Sequence, residues 1–456
     1  MKSLFLRFVQ YFSPAQQPVM SRPAFSRELV TAGTLPFAVA MLEGGVVGVV
    51  SKTIFNVSDL GFAAIFAAPM FANVTSLLWA RLSRGKAKVA FTTMIMAVLL
   101  MLVASVAFLP TGGMGPGMLV LIVVLGRVCM AGMVALRSTI WRMNYTRSVR
   151  GQATARFVML ASLILALWPI FVGPLLDANA ELFRVLYPFS AILGALGVLS
   201  FWQIRVRGER QLLRDENQPD VSDAPLQPNG KPHNALSVLR HDTNFRSYMV
   251  WQFLAGVGNM AGSTAFALFV INTLKDTPTE NTQSMLLNAT IPLGLAVVSL
   301  SWWARRLDGL HITRFRVIHG VTWVINQGLN GLAAWTGWLP LLYLASGAHG
   351  VARGGGMLAW QLGHNDFADR RLVALYMGIH QALTGVRGIF APFVGTLLLT
   401  GWQPFTIAGQ TFRGWEGIGA GVFVVTTAAV FASWLGFWSL NLKLRRDGSD
   451  AAKDME

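Results

Sequence analysis

The chain has 456 residues, of which 54% are hydrophobic and only 13% are charged, and its formal net charge at pH 7 is +16. So apolar a composition excludes an ordinary water-soluble domain. A basic chain can bind nucleic acid, but here the basic residues lie between long apolar segments, which argues against that class. The single cysteine, Cys129, excludes an intramolecular disulfide.

Apolar segments of membrane-spanning length follow one another along the chain. A transmembrane helix needs about 20 mostly apolar residues. Twelve segments meet this requirement, near residues 31–54, 60–80, 88–110, 118–140, 153–176, 183–204, 248–274, 284–303, 317–338, 339–362, 373–399 and 417–440. We therefore predict an all-α polytopic membrane protein with twelve transmembrane helices.

Basic residues gather in every second connection between these segments. They follow the second, fourth, eighth and tenth segments: Arg81, Arg84, Lys86, Lys88, Arg142, Arg147, Arg150, Arg305, Arg306, Arg314, Arg316, Arg370 and Arg371. Lysine and arginine are enriched in cytoplasmic loops. We therefore predict that these loops, and with them both termini, are cytoplasmic.

One polar stretch divides the twelve segments into two groups of six. Residues 205–246 contain four prolines among polar side chains and cannot bury enough apolar area to fold alone. We predict a cytoplasmic linker there, between a six-helix bundle at 31–204 and a second at 247–440. Residues 1–30 form the predicted cytoplasmic N-terminal segment, and residues 441–456 form the predicted cytoplasmic tail.

Two tripeptides recur at matching places in the two groups. The Trp-Ala-Arg of residues 79–81 returns at 303–305, each time at the cytoplasmic end of the group's second helix. The Phe-Val-Gly of residues 171–173 returns at 393–395, each time in the fifth helix. These positions favour two pseudo-symmetric bundles with a site near mid-membrane where they meet.

The basic loop after the second segment carries a motif. Residues 76–85 align with a loop motif of transmembrane proteins, Gly-x-x-x-Asp-Arg-x-Gly-Arg-Lys, and Arg81 and Arg84 match its two arginines. Ala80 replaces the aspartate, and serines replace both glycines. With six plus six helices, cytoplasmic termini and a long central loop, this motif makes the whole chain resemble the major facilitator superfamily of secondary transporters.

Shorter sequences extend the resemblance. Residues 126–127 (Gly-Arg) resemble the start of that family's fourth-helix arginine motif, and residues 173–174 (Gly-Pro) resemble part of its antiporter motif. Residues 360–368 resemble a segment of uncharacterised bacterial members. The resemblance implies a transporter whose two halves rock around a central site. It also implies a cytoplasmic gating loop, to which we assign Arg81, Arg84 and Arg305.

Glu43 is the one acidic residue that we predict deep in the membrane. A charge at the bilayer centre costs about 2.5–3.5 kcal/mol on insertion scales, so such a residue is a candidate for function. We interpret Glu43 as a proton carrier or substrate contact. The alternative is a structural ion pair with Arg127, and a pair that breaks during transport would serve both purposes.

Cationic and amide side chains in other segments are the remaining candidates. Three intramembrane arginines against one acid favour a small anionic or zwitterionic organic substrate. His380 lies two helical turns before an arginine of the eleventh segment and could assist proton coupling. The predicted substrate-binding and coupling residues are Glu43, Arg127, Asn259, Asn326, Arg353, His380 and Arg387.

Signatures of enzymes and of ATP-driven pumps are missing from the sequence. There is no Gly-x-x-x-x-Gly-Lys-Ser/Thr, Cys-x-x-Cys, His-Glu-x-x-His or Gly-x-Ser-x-Gly. We therefore predict neither an enzyme nor a cofactor or metal, but a secondary transporter coupled to protons or another ion. We predict a monomer that spans a bacterial inner membrane, transports a small-molecule substrate and binds no nucleic acid.

Two other functions remain open at this point. The first is a proton-linked exporter of amphipathic compounds, which the Gly-Pro pair at 173–174 and the aromatic-rich segments favour. The second is a membrane chaperone or assembly protein that keeps the fold without transport.

Overall fold

The computed structural model describes residues 10–217, 235–364, 366–368, 372–407 and 410–447. The helices within them are joined by turns and irregular segments, and the two strands are those of a short antiparallel hairpin, β1 (Phe405–Ile407) and β2 (Gln410–Phe412). The predicted basic pair Arg370 and Arg371, most of the proline-rich part of the linker and both chain ends lie outside these residues. Contacts divide the chain into two compact units, Met1–Asn56 with Phe71–Asp220 and Val57–Met70 with Val221–Glu456.

The first unit is built from long helices around a tightly packed N-terminal helix. Its helices are α1 (Arg22–Ala40), α2 (Gly44–Thr53), the end of α3 (Asp59–Val74), α4 (Ser76–Leu82), α5 (Lys88–Ser105), α6 (Gly115–Asn144), α7 (Arg147–Ala178), α8 (Phe183–Trp202) and α9 (Glu209–Asn217). Helix α1 packs on α7 and α8, and α5 packs on α6 and α8. A Cβ on Gly197 of α8 would lie 2.5 Å from Thr34 Oγ1 of α1, so a small residue permits this close approach.

The second unit contains the start of α3 and the helices of the C-terminal half. These are α10 (Ala235–His241), α11 (Thr243–Leu274), α12 (Glu280–Met285), a π-helical turn (Leu286–Thr290), α13 (Ile291–Asp308), α14 (Ile312–Thr336), α15 (Leu339–Leu362), α16 (Val373–Thr400) and α17 (Gly421–Arg446). Helix α11 packs on α16 and α17, and α15 packs on α13 and α14. Cβ atoms on Gly350 and Gly354 of α15 would lie 2.7 and 2.8 Å from backbone oxygens of α13, so glycine at both positions permits close packing of the two helices.

A helix occupies each of the twelve predicted spans. Nine helical segments of the described residues are long and apolar enough to cross a membrane. The second, ninth and tenth predicted spans correspond to α3 with α4, to α14 and to α15, which are not among the nine. The helix of the second span is divided at Thr75, and buried polar side chains lower the hydropathy of α14, such as His319 and Asn326.

Two segments differ from the sequence prediction. Helix α1 begins at Arg22, nine residues before the first predicted span. The segment predicted as an unstructured linker contains α9, α10 and the start of α11. An acidic residue in the first turn of α9 and an arginine in its last turn complement the helix dipole, and contacts described below hold α9 against the first unit.

The two repeated tryptophans make the same contact, each within its own unit. Trp79 Nε1 donates to the carbonyl of Val128 at 2.9 Å, and Trp303 Nε1 donates to the carbonyl of Val351 at 2.8 Å. Four residues after each acceptor stands a glycine whose Cβ would lie 2.8 Å from the indole. The recurring tripeptide therefore marks a repeated packing arrangement.

Candidate functional site

The first predicted span is interrupted at residues 41–43 rather than continuous. Helix α1 ends at Ala40, α2 begins at Gly44, and Glu43 between them has an extended backbone with φ −74° and ψ 139°. Pro36 cannot donate a backbone hydrogen bond within α1, and the two glycines after Glu43 weaken the helix further. The break therefore places Glu43 at the start of a new helix.

Two side chains satisfy the backbone oxygens that this break exposes. The Tyr187 hydroxyl donates to the carbonyl of Met41 at 3.1 Å, and Arg127 Nη2 donates to the carbonyl of Leu42 at 2.7 Å. Both donors come from other helices, α8 and α6. Unpaired carbonyls inside a membrane are costly, so these bonds explain how an interrupted helix is tolerated there.

Glu43 and Arg127 form a two-bonded ion pair. Arg127 Nη1 donates to Glu43 Oε1 at 3.0 Å, and Nη2 donates to Oε2 at 2.9 Å. The Arg127 side chain is 9% exposed, whereas that of Glu43 is 33% exposed. The structure confirms the pairing that the sequence offered as one alternative. The charge of Arg127 is neutralised within the first unit, while its partner stays accessible.

A second buried ion pair joins the same two helical regions and was missed in the sequence. Arg137 Nη2 donates to Glu28 Oε2 at 2.5 Å, and Trp141 Nε1 donates to Glu28 Oε1 at 3.0 Å. Glu28 is 1% exposed, so the first unit buries an acid that is not among the predicted site residues. The basic residues beside Glu28 suggested a cytoplasmic segment. The signal that could have found it is its place on one helical face with Thr31, Ala32 and Leu35.

Arg387 of the second unit is buried and contacts the backbone of α11. Its side chain is 4% exposed, and its Nη1 donates to the carbonyl of Gln252 on α11. A Cβ on Gly256 would overlap the guanidinium, so glycine there makes room for it. Asn259, one turn further along α11, is partly buried, and its Oδ1 has no hydrogen-bond partner among the described residues.

His380 lies on the same side of α16 as Arg387, two turns away. It is fully buried, and neither ring nitrogen has a hydrogen-bond partner among the described residues. Trp360 packs edge-on against it at a centroid distance of 5.7 Å, and the Trp360 indole donates to Thr384 Oγ1 at 3.3 Å. The ring centroid of His364 lies 6.5 Å from that of His380. Burial lowers the pKa of His364.

Arg316 was placed in a basic loop by the sequence but is buried in the second unit. Its side chain is 6% exposed, and its Nε donates to the Tyr248 hydroxyl of α11 at 3.3 Å. The guanidinium also lies 5.9 Å from the ring centroids of Tyr248 and Phe437. The sequence signal for its burial is its position in α14, three residues before the buried His319.

Asn326 and Arg353 lie elsewhere in the second unit. Asn326 is fully buried, and its Nδ2 donates to the carbonyl of Ala345 at 3.0 Å and lies 3.4 Å from Asn330 Oδ1. These bonds favour a role in joining α14 to α15. Arg353 is partly buried on α15, one turn after His349.

The predicted gating loop is held by the linker helix α9. Glu216 Oε2 accepts from Lys88 Nζ at 2.7 Å and from the backbone of Gly85 at 2.9 Å, and its carbonyl accepts from Arg84 Nε at 2.6 Å. Lys88 is buried. An acidic residue from a distant segment therefore faces the loop in which Ala80 replaces the motif aspartate. Arg305 lies in the last turn of α13.

Titratable side chains in the described part of the chain form no group of three or more that could hold a metal ion. The structure thus assembles the predicted residues into two separate sets. Glu43 and Arg127 meet in the first unit, and Arg387 and His380 share a helix face in the second.

Comparison with known proteins identifies the family. The sequence profile of the Major Facilitator Superfamily matches residues 32–326. Among curated proteins, none matches this sequence.

Solved structures of transporters share the fold at low sequence identity. A variant of the nucleoside transporter NupG has a TM-score of 0.64 at 14% identity, covering 92% of this chain and 99% of its own. A POT family transporter bound to a thioalcohol-conjugated peptide has a TM-score of 0.64 at 12% identity, covering 92% and 96%. The xylose transporter XylE from E. coli has a TM-score of 0.57 at 14% identity, covering 91% and 95%.

These likenesses extend over nearly the whole chain and concern the fold alone. Together with the profile match over more than half of the sequence, they identify an α-helical multi-pass membrane protein that is a transporter and not an enzyme. The chain belongs to the Major Facilitator Superfamily of secondary transporters.

Proposed function

We propose that this chain transports a small organic anion or zwitterion and that Arg387 binds its negative group. The observation that carries the proposal is the burial of Arg387 without a carboxylate partner among the described residues. Arg127 differs, because Glu43 already neutralises it. A buried and unpaired charge is costly, and an anionic substrate that pairs with Arg387 removes that cost. Asn259, with its unpartnered oxygen one turn beyond Gly256, is the second proposed substrate contact.

Proton coupling is proposed to use Glu43. A carboxylate that is one-third exposed can take up a proton while it faces water. Protonation removes its charge and frees Arg127, which then becomes available to an anion. This sequence of events couples proton binding to a change in the charge of the site. His380 and Arg353 are proposed to assist from the second unit.

The proposed topology has twelve membrane spans, with α14, α15 and the pair α3–α4 crossing in addition to the nine most apolar segments. Six belong to residues 31–204 and six to residues 247–440, joined by the cytoplasmic segment 205–246. The segments 1–30 and 441–456 are also cytoplasmic, and Arg81, Arg84 and Arg305 gate that side. The orientation follows the positive-inside rule, and a bacterial inner membrane is the proposed location.

Reconstitution into proteoliposomes tests the transport proposal. A panel of radiolabelled organic anions, zwitterions and neutral solutes is offered with and without an inward proton gradient. We expect uptake of an anion or zwitterion that rises with the gradient, and loss of the gradient response in Glu43→Gln. Uptake restricted to neutral solutes would refute the proposed anionic or zwitterionic substrate. A full gradient response in Glu43→Gln would refute the proposed role of Glu43 in proton coupling.

A further inference from the structure

Two buried arginines of the second unit approach the same helix one turn apart. Arg316 of α14 donates to the hydroxyl of Tyr248, and Arg387 of α16 donates to the carbonyl of Gln252. Tyr248 and Gln252 are four residues apart on α11, so they lie on one face of that helix. The two guanidinium groups therefore bind adjacent turns of α11, and Arg387 lies within range of the charge of Arg316.

No described carboxylate neutralises this pair. Neither arginine forms an ion pair with any residue that the structure describes. Two acids of the same unit contact other groups. Asp242 accepts from the Tyr376 hydroxyl at 2.8 Å, and Asp366 accepts from the backbone of Ile312 at 2.7 Å. Two positive charges are thus buried side by side without compensation from the described part of the protein.

The polar atoms left without partners around the two arginines are mostly nitrogens. The nitrogens are Arg316 Nη2, Arg387 Nε, both ring nitrogens of His380 and Nδ1 of His364, and the oxygen is Gln252 Oε1, all buried. His380 lies within range of the charges of both arginines. Buried polar groups are normally hydrogen-bonded. The N–H donors of the two arginines and one N–H of a neutral imidazole lack partners around two charges that no described residue compensates, and they call for a ligand with several acceptor oxygens and more than one negative charge.

We propose that Arg316 and Arg387 together bind a small soluble dianion, either a dicarboxylate or a phosphate monoester. The inference rests on the proposed anion transport and specifies the charge of the substrate. Guanidinium groups bind carboxylate and phosphate oxygens through paired, charge-assisted hydrogen bonds. A monoanion would leave one of the two arginines unpaired, so the site discriminates by charge number. The full burial of His380 suits a compact solute better than a diacyl lipid.

Matched pairs of probes test this proposal on the purified full-length protein. Succinate is compared with monomethyl succinate, and methyl phosphate with dimethyl phosphate, at about pH 8, where a phosphate monoester carries two charges. Binding is measured by calorimetry and thermal shift at constant ionic strength. We expect at least one dianion to bind about tenfold or more tightly than its ester, and Arg316→Gln to remove that preference.

Three variants separate binding from folding. Arg316→Lys keeps the charge and should retain part of the preference, whereas Arg314→Gln removes the same charge from the same helix two residues away and should leave the preference intact. Arg316→Gln should keep or raise the ligand-free midpoint of thermal unfolding, because it removes one of two repelling buried charges. A lowered midpoint with an unchanged preference would make Arg316 structural and overturn the proposal.

The possible failures are distinguishable. Equal binding of dianions and esters, or stabilisation by phosphatidic acid but by neither soluble dianion, overturns the two-arginine site and leaves anion transport standing. Binding of none of the four probes overturns both the dianion site and the proposed anion transport.

Discussion

Glu43 combines two properties that are seldom found in one residue. It neutralises the buried guanidinium of Arg127 through two hydrogen bonds, yet a third of its own side chain is exposed. The extended backbone at the break between α1 and α2 makes this possible. In a continuous helix the Glu43 side chain would leave the backbone in a different direction. The exposed part of the Glu43 side chain is therefore accessible while the helices that hold the ion pair stay folded.

Replacing Glu43 by glutamine should destabilise the protein by about 2 kcal/mol, because Arg127 then remains buried without its counter-charge. This loss of stability is smaller than the loss expected for a fully buried ion pair, because Glu43 is partly exposed. Thermal unfolding in detergent measures the loss. The double variant Glu43→Gln with Arg127→Met should recover much of it. A double variant less stable than Glu43→Gln alone would contradict the interpretation.

Gly256→Ala should weaken anion binding by about tenfold, since its methyl group would occupy the place of the Arg387 guanidinium and displace one charge-assisted contact. The affinity for whichever anionic probe binds the unaltered protein is the measurement. Gly378→Ala in α16 is the matched control, because its Cβ would meet nothing within 4 Å. Equal affinities of the two variants would show that Arg387 does not need this space.

Among the helices, α9 is polar and short, yet it holds the loop before α5 in place. This short polar helix carries Glu216, whose carboxylate contacts both the buried Lys88 and the backbone of Gly85. A second acid, Glu209, accepts from the backbone of Lys88 at 3.2 Å. The helix thereby fastens the start of α5, and it supplies an acidic partner to a loop whose own sequence lacks one.

Glu216→Gln should lower the free energy of unfolding by about 2 kcal/mol, because Lys88 stays buried and loses its charged partner. Thermal unfolding and protease sensitivity of the segment around α9 provide the readouts. Asp215→Asn removes the same charge from the neighbouring exposed position of the same helix and should change stability by less than about 0.5 kcal/mol. Similar losses in the two variants would mean that net charge, not the Lys88 contact, matters.

On the scale of the whole molecule, the proposed topology makes Gly112 and Arg214 lie on opposite sides of the membrane. Both are exposed, Gly112 between α5 and α6 and Arg214 on α9. In a Cys129→Ser background, a membrane-impermeant maleimide added to intact cells should label Gly112→Cys and spare Arg214→Cys. After permeabilisation both should react. Labelling of Arg214→Cys in intact cells would reverse the predicted orientation.

The sequence alone determined the repeated helical plan of this protein. The hydrophobicity of a twenty-residue segment is a local property, and so is the number of arginines in the loop that follows it. The apolar segments and the family could therefore be recognised without a structure. The repeated Trp-Ala-Arg was equally readable, and Trp79 and Trp303 indeed make equivalent hydrogen bonds.

Only the tertiary structure decided which charges are compensated. Glu28 meets Arg137, and Lys88 meets Glu216, across more than a hundred residues, and no local pattern encodes such a pairing. Arg316 looked like a loop residue because its neighbours are basic, but packing against Tyr248 and Phe437 buries it. Burial and pairing depend on contacts between helices distant in sequence. The sequence could therefore list the charged residues, but it could not tell Arg127, which Glu43 neutralises, from Arg387, which no carboxylate of the described residues neutralises.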